Sequence, residues 1–249
     1  MITISVCAQK GGVSKTTTTE AIVLYLRNLG FKVLAMDLDQ QGNLTSYFNP
    51  EAKYSVFDLV YGKVPANECI ENDLIAGGLG LRYLPEFFKE NELTTLGEAV
   101  KKTGAEYDFL IIDTPPAINT IVLSALANSD YVVMPTEPTK DSLDGIKKTV
   151  QAVEATKSKI NPRIKILGVL LVKYKERYTL HRQFKDAMAS SSKFNLFNTI
   201  IRESQAINNA KTANKDIFSK EYSKANAVKD YAAFVDELLE RIKVKKPTK

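Results

Sequence analysis

Short apolar runs alternate along the chain with longer stretches in which apolar residues recur at helical spacing. The runs with the length and composition of strands are 2–8, 32–39, 107–113, 130–135 and 163–172. Helical patterns cover 15–29, 93–103, 118–128, 142–159, 178–191 and 225–243. Strands and helices that alternate in this way predict an α/β fold, a mostly parallel twisted sheet covered by helices on both faces.

The segment between residue 40 and about residue 102 is less regular. Within it, 77–85 predicts a short strand that ends at Pro85. The chain shows no linker and no internal repeat, so we predict one domain over residues 1–249. The last residues, 245–249, are predicted to form a frayed tail.

Composition places the chain among ordinary globular proteins, with 44% hydrophobic and 25% charged residues. No apolar run reaches the length of a transmembrane helix. The N-terminus lacks the basic and apolar regions of a secretory signal. We therefore expect a cytoplasmic location.

The cysteines and the histidine indicate no metal centre. Cys7 lies in a predicted buried strand and Cys69 in a predicted polar loop. Two distant cysteines make neither a zinc cluster nor a disulfide framework. His181 is the single histidine, and one imidazole cannot build a metal site alone.

The charge is distributed unevenly between the two halves of the chain. Residues 1–138 contain 10 lysines and arginines against 17 aspartates and glutamates, whereas residues 139–249 contain 24 against 12. A basic half beside an acidic half indicates a polyanionic partner on one side of the molecule, or a scattered, solvated surface.

The stretch AQKGGVSKTTTT, residues 8–19, has the parts of a phosphate-binding loop. The common pattern G-x-x-x-x-G-K-[ST] asks for glycine where this chain has Gln9 and Ser14. Nevertheless a strand leads into a Gly-Gly turn, and the turn leads into the N-terminus of a helix, whose free N–H groups and dipole attract phosphate. The predicted nucleotide-binding residues are Lys10, Gly11, Gly12, Val13, Ser14, Lys15, Thr16 and Thr17.

Catalytic and metal-binding roles follow from this loop and from the acidic ends of two strands. Lys15 is expected to reach the β- and γ-phosphates, and the Thr16 hydroxyl to bind Mg²⁺. Asp113 ends a buried strand, where a carboxylate that holds Mg²⁺ through water would lie. Asp37 and Asp39 are two residues apart and face one side of an extended segment, toward the γ-phosphate and its metal. One of these two could orient the attacking water.

Four segments together resemble the ParA family of deviant Walker ATPases: KGGVSKTTTT (10–19), DLDQQGNLT (37–45), DFLIIDTPP (108–116) and VVMPTEP (132–138). The resemblance implies a Mg²⁺-dependent ATPase with ATP as its nucleotide, slow without its partners. It implies a dimer that encloses two ATP molecules. It also implies that Lys10 reaches the partner subunit's nucleotide and that Asp39 is the hydrolytic residue.

The chain departs from the family pattern at three places. The family usually has glycine at the position of Ser14 and proline at that of Gln40, which affects rates more than activity. The family segment I-P-R-N-x-R corresponds to IIRESQ here. By this resemblance Ile201 and Arg202 are expected beside the adenine.

The resemblance also implies a function for the basic half. Dimers of the ParA family act as ATP-gated clamps on nonspecific double-stranded DNA, and a ParB-like protein stimulates hydrolysis and release. Such a protein partitions DNA and associates with the nucleoid. The first strand starts at residue 2, which predicts no preceding helix-turn-helix domain. The candidate DNA contacts are Lys173, Lys175, Arg177, Arg182, Arg202, Lys211, Lys215, Lys220 and Lys224.

Other functions share this nucleotide site. A MinD-like membrane switch would use an amphipathic C-terminal helix, and 231–249 has apolar residues at helical spacing. Its acidic residues disfavour anionic lipid, and packing against the sheet explains the stripe equally well, so we expect no membrane partner. A reductase like nitrogenase iron protein needs cluster-binding cysteines that the chain lacks. An ATP-dependent ligase of similar fold is disfavoured by Lys10 and the basic half.

Overall fold

The computed structural model describes residues 1–90, 92–103, 105–190 and 194–247. Within these residues a single six-stranded sheet has the order β3-β2-β4-β1-β5-β6, and all of its strand pairs are parallel. The predicted α/β fold with a parallel sheet is confirmed. The strands are β1 (Ile2–Val6), β2 (Val33–Asp37), β3 (Leu74–Ile75), β4 (Phe109–Asp113), β5 (Tyr131–Thr136) and β6 (Lys165–Leu171).

The helices between and after these strands include all six that the sequence pattern predicts, with ends that differ by a few residues. The less regular segment adds α2, α3, α4 and two 3₁₀ helices, at Ala66–Cys69 and Leu79–Tyr83. The α-helices are α1 (Lys15–Asn28), α2 (Asn43–Phe48), α3 (Val56–Tyr61), α4 (Leu84–Glu90), α5 (Thr95–Lys102), α6 (Thr120–Ala127), α7 (Ser142–Lys159), α8 (Thr179–Ala189), α9 (Gln205–Thr212) and α10 (Asn226–Arg241).

Apolar side chains leave the sheet alternately toward its two faces, as the pleat of a strand requires. On one face Val33 and Ile111 pack with apolar residues of α1 and α10. On the other face Leu34 and Leu110 pack with residues of α3, α5 and α6. Both faces of the sheet are therefore covered, which is why its strands are nearly continuous apolar runs.

The strand predicted at 77–85 is wrong. The strand lies earlier, at Leu74–Ile75, and a 3₁₀ helix followed by α4 occupies the predicted segment. Leu81 and Leu84 are both fully buried, and their spacing of three puts them on one helical face. After this strand Gly77 passes so close to Asp37 that a Cβ atom at Gly77 would lie 2.8 Å from the Asp37 carbonyl oxygen.

The predicted loop position of Cys69 is also wrong. Cys69 ends the 3₁₀ helix Ala66–Cys69 and is buried in the same apolar cluster as Val56 and Leu59. Burial raises the pKa of Cys69 to about 11 and that of Cys7 to about 12. Both thiols are therefore protonated near neutral pH.

The carboxyl ends of the central strands lie side by side. Val6 of β1 is in register with Asp113 of β4, and Asp113 is in register with Asp37 of β2. This edge is where α/β sheets bind ligands. The loop after β1 and both strand-end carboxylates therefore meet at one place.

The described chain ends in a short C-terminal segment without regular structure. Residues 245–247 follow α10 without regular structure, whereas 248 and 249 of the predicted frayed tail, and residue 191 of the predicted helix 178–191, lie outside the described residues. Among the helices of the described ranges, none is long and apolar enough to cross a membrane.

Candidate nucleotide site

The loop between β1 and α1 is shaped by two left-handed residues. Gly12 has a φ of 78° and Ser14 a φ of 59°. Ser14 occupies the N-cap position of α1, but its side chain makes no capping hydrogen bond. The first N–H groups of α1 are thus left for a ligand rather than capped by the protein. The loop has the geometry for which the family uses glycine, although this chain has serine there.

We expect Ser14→Gly to stabilise the ligand-free protein by about 0.5–1 kcal/mol, because glycine adopts the left-handed conformation without the steric cost that serine pays. Urea denaturation followed by circular dichroism would measure the change. Ser190→Gly is a matched control, since Ser190 ends α8 with an ordinary φ of −71°. A Ser14→Gly protein no more stable than the wild type would contradict the expectation.

Lys15, Thr16 and Asp113 form the centre of the site. The Thr16 hydroxyl donates to Asp113 Oδ2 at 2.7 Å, and the Thr19 hydroxyl donates to Asp113 Oδ1 at 3.2 Å. The Lys15 Nζ atom donates to the Lys10 carbonyl oxygen at 3.3 Å, so this side chain folds back over the loop. Burial lowers the pKa of Lys15, and the charges of Asp113 and Asp39 oppose that effect. A buried cation beside two carboxylates and open N–H groups is suited to a phosphate chain.

Asp113 has the environment of a residue that faces a cation. It is fully buried, and burial together with the nearby Asp37 carboxylate raises its pKa to about 7. A divalent cation held by the Thr16 hydroxyl, with Asp113 behind it, would remove this electrostatic cost. The hydroxyl and carboxylate donors present are oxygen ligands of the kind that Mg²⁺ prefers.

Asp37 is engaged differently from Asp113. Its Oδ1 accepts a hydrogen bond from the Asp39 N–H at 3.0 Å, and its Oδ2 accepts from the N–H and the hydroxyl of Thr45 at 2.9 and 2.8 Å. Asp37 therefore organises the segment between β2 and α2. That segment includes Asp39, so the hydrogen bonds of Asp37 determine the position of the Asp39 carboxylate. The predicted metal contact of Asp37 stays a prediction.

A cavity of about 720 Å³ opens above the loop, a volume that is within the usual range for small-molecule sites. Asp39 lines it, and the Asp39 Oδ1 atom accepts a hydrogen bond from the Gln41 N–H at 3.0 Å. The other described lining residues are Gly11, Gly12, Ser14, Lys15, Thr16, Thr17, Glu20, Gln41, Asn43, Ser46, Tyr47, Pro116, Lys173, Asn208, Lys211 and Asn214.

Lys10 points away from this cavity. Its Nζ atom donates to the Thr139 hydroxyl at 3.3 Å in an exposed position, and Lys10 is not among the described lining residues of the cavity. Lys173 takes the position beside the loop instead. Its Nζ atom donates to the Gly12 carbonyl oxygen at 2.7 Å and lies 2.5 Å from Glu137 Oε1. The Lys15 and Lys173 side chains thus both donate to carbonyl oxygens of the phosphate loop, whereas the Lys10 side chain faces outward.

The two residues predicted beside the adenine lie away from the cavity lining. Ile201 is buried and accepts the Tyr174 N–H in a short bridge, and Arg202 pairs with both carboxylate oxygens of Asp230 at 2.8 and 2.6 Å. Residues of α9 and the loop after it line the cavity in their place: Asn208, Lys211 and Asn214.

Sequence analysis missed the lining residues Asn208, Asn214, Tyr47 and Glu20. Of these four, only Glu20 left a signal in the sequence, as a carboxylate next to apolar residues of α1.

The predicted DNA contacts fall into two groups. Five of them already face acidic partners: Lys173 with Glu137, Lys175 with Glu203, Arg202 with Asp230, Lys211 with Glu20 and Lys215 with Glu221. The rest are exposed and form no ion pair within the described part of the chain: Arg177, Arg182, Lys220 and Lys224. These four cations can reach a polyanion without breaking an ion pair.

Comparison by sequence finds a matching family model and a relative that is similar over most of the chain. An AAA domain family model (AAA_31) matches residues 1–166. The chain is 31% identical over 228 residues to the chromosome-partitioning ATPase Soj of Thermus thermophilus, and the match covers 86% of each protein.

Solved structures with this fold include proteins of different functions. Cobyrinic acid a,c-diamide synthase from Mycobacterium smegmatis, with a bound ATP analogue and magnesium, has a TM-score of 0.85 at 24% identity and covers 99% of this chain and 97% of its own. A putative plasmid partition protein from Borrelia burgdorferi bound to AMPPNP has a TM-score of 0.81 at 23% identity, covering 96% and 99%. At these identities the similarity establishes the fold.

Proposed function

The chain belongs to the ParA/Soj family of ATPases, and from this premise we propose that it is a DNA-partitioning ATPase that binds ATP with Mg²⁺ and works as a nucleotide-dependent dimer on nonspecific double-stranded DNA. The observation that carries the proposal is the hydrogen bond of 2.7 Å between Thr16 and Asp113 beside the buried Lys15. It joins a phosphate loop to a strand-end carboxylate, the arrangement that a metal-bound nucleoside triphosphate requires.

Each residue of the site has a proposed task in hydrolysis. The N–H groups of the loop and the Lys15 ammonium group neutralise the phosphate chain. Thr16, with Asp113 behind it, would hold Mg²⁺, which would supply positive charge to stabilise the phosphates. Asp39 orients a water molecule toward the γ-phosphorus atom. Phosphoryl transfer depends mainly on positioning and charge stabilisation, which these residues and a Lys10 supplied by the second subunit would provide.

Packing of the C-terminal helix supports DNA over a membrane as the partner. Phe234, Val235, Leu238 and Leu239 of α10 are almost completely buried and pack in one cluster with α1 residues. A membrane-binding helix needs such residues on a surface that can enter the bilayer. The apolar stripe of α10 already has a partner inside the fold.

Exposed cations of the basic half support contact with the DNA backbone. Arg177 and Arg182 flank Tyr178, which is 54% exposed. Contacts to phosphate give binding without sequence preference and with a steep dependence on salt. We propose that a ParB-like protein stimulates hydrolysis and releases the dimer, and that the protein acts in the cytoplasm on the nucleoid.

Fluorescence anisotropy of a random-sequence DNA duplex tests the proposed function. The protein would be titrated at two salt concentrations with ATP, with ADP and without nucleotide. We expect binding that is at least about tenfold tighter with ATP and that weakens steeply with salt.

Variants make this experiment specific for the basic surface. Arg177→Ala combined with Arg182→Ala is expected to weaken binding by at least about tenfold and to reduce the salt dependence by up to about four counterions per dimer. Lys89→Ala is the matched control, because Lys89 is an exposed cation of the acidic half and pairs only at the surface with Glu86. Equal binding with ATP and ADP would refute the nucleotide-gated contact with DNA.

A further inference from the structure

Helix α1 carries a carboxylate, Glu20, among buried apolar neighbours. Glu20 is 1% exposed and lines the nucleotide cavity. Among the described residues, the Lys211 ammonium group lies beside Glu20 Oε1, whereas Glu20 Oε2 has no hydrogen-bond donor. A buried carboxylate oxygen without a donor is costly. Glu20 is therefore a group whose hydrogen-bond partner is expected to come from the cavity.

Lys211 of α9 is the cation next to Glu20, and its ammonium group contacts both Glu20 and Thr17. Its Nζ atom lies 3.2 Å from Glu20 Oε1 and donates to the Thr17 hydroxyl at 3.1 Å. Burial raises the pKa of Glu20 to about 7, and the charge of Lys211 opposes this rise. Lys211 is thus a positioning residue that favours the ionised form of Glu20 and leaves Glu20 Oε2 able to accept a further hydrogen bond.

The place of Glu20 on α1 indicates which part of a nucleotide lies beside it. Thr17 is the last residue of the phosphate loop, and Glu20 follows it by almost one helical turn, about 4.5 Å further along the helix axis. A nucleotide with its phosphates on residues 11–17 would extend its sugar into the rest of the cavity, which Glu20 also lines. The ribose hydroxyls are hydrogen-bond donors, and carboxylates are their usual acceptors in nucleotide-binding folds.

We propose that Glu20 accepts a hydrogen bond from a ribose hydroxyl of the bound nucleotide, and that the protein thereby selects nucleotides with an intact ribose over 2′- or 3′-deoxy analogues. This inference rests on the proposed nucleotide-binding function and adds a specificity-determining residue to it. A purely structural alternative is that the Glu20–Lys211 pair only fastens α9 to α1. The two roles differ in their dependence on the sugar.

Calorimetric titration of ADP, 2′-deoxy-ADP and 3′-deoxy-ADP in the presence of Mg²⁺ tests this role without hydrolysis. We expect the wild type to bind at least one deoxy analogue about tenfold more weakly than ADP, because a hydrogen bond to a buried carboxylate is lost. In Glu20→Leu the ratio of the deoxy-ADP dissociation constant to the ADP dissociation constant should fall to about one. In Glu20→Gln, which keeps one acceptor oxygen, this ratio should lie between about one and the wild-type value.

Glu237→Gln is the matched control. Glu237 also pairs with a basic side chain, Arg241, but it lies outside the described lining of the cavity. In Glu237→Gln the ratio of the deoxy-ADP and ADP dissociation constants should equal that of the wild type. Equal binding of all three nucleotides by the wild type would overturn the inference even if the Glu20 variants failed to fold. A wild type that bound neither ADP nor ATP would refute the proposed function as well.

Discussion

Replacing Asp39 by alanine is expected to lower ATP hydrolysis by at least about 100-fold and to change nucleotide affinity by less than about threefold. Asp39 lines the cavity, and the segment that carries it is held by the buried Asp37 carboxylate. The loop N–H groups, Lys15 and Thr16 remain in place and continue to bind the phosphates. The variant should therefore accumulate in the ATP-bound, dimeric state.

Phosphate release measured at saturating ATP and DNA, together with calorimetric ADP binding, would separate these two effects. Asp39→Asn keeps the side-chain oxygen that accepts the Gln41 N–H but loses the charge, so it should be nearly as slow as the alanine variant. Glu86→Ala, which removes an exposed carboxylate paired with Lys89, should hydrolyse ATP at the wild-type rate. An Asp39→Ala protein with normal turnover would refute the proposed role.

Replacing Lys10 by alanine should abolish ATP-dependent dimerisation and lower hydrolysis by about 1,000-fold, as expected for a cation supplied in trans. Lys10 Nζ contacts Thr139 at an exposed position outside the cavity, so binding of ADP to the monomer should stay within about threefold of wild type. Light scattering after size-exclusion chromatography, with and without a slowly hydrolysed ATP analogue, would measure the dimer.

Mixing two inactive variants distinguishes a trans role of Lys10 from a cis role. In a dimer of one Lys10→Ala and one Asp39→Ala subunit, a trans Lys10 completes the site that retains Asp39. Each mixed dimer then has one complete site and should hydrolyse ATP at roughly half the rate of a wild-type dimer. If Lys10 acts in cis, both sites of the mixed dimer are defective. A mixture that stays inactive although mixed dimers form would contradict the proposal.

Much of the fold was predictable because the signals are local. Fully buried parallel strands have to be apolar along their whole length, so β1, β2, β4, β5 and β6 were recognisable from short runs of residues. The long helices have a clear apolar periodicity. The short strand β3 was missed because a two-residue strand has no periodicity, and its place depends on the close approach of Gly77 to Asp37.

The residues of the candidate site likewise fall into two groups, those that the local sequence indicates and those that only packing brings to the cavity. The amino-acid sequence by itself determined the phosphate loop, Lys15, Thr16 and the strand-end Asp113, because a glycine turn, a helix N-terminus and a strand end are defined by adjacent residues. Only the tertiary structure decided what surrounds the rest of the cavity. Lys173 reaches Gly12 across 161 positions of sequence, and Lys211 reaches Thr17 across 194. Contacts between such distant residues depend on how β6 and α9 pack beside α1, and no local pattern encodes that packing.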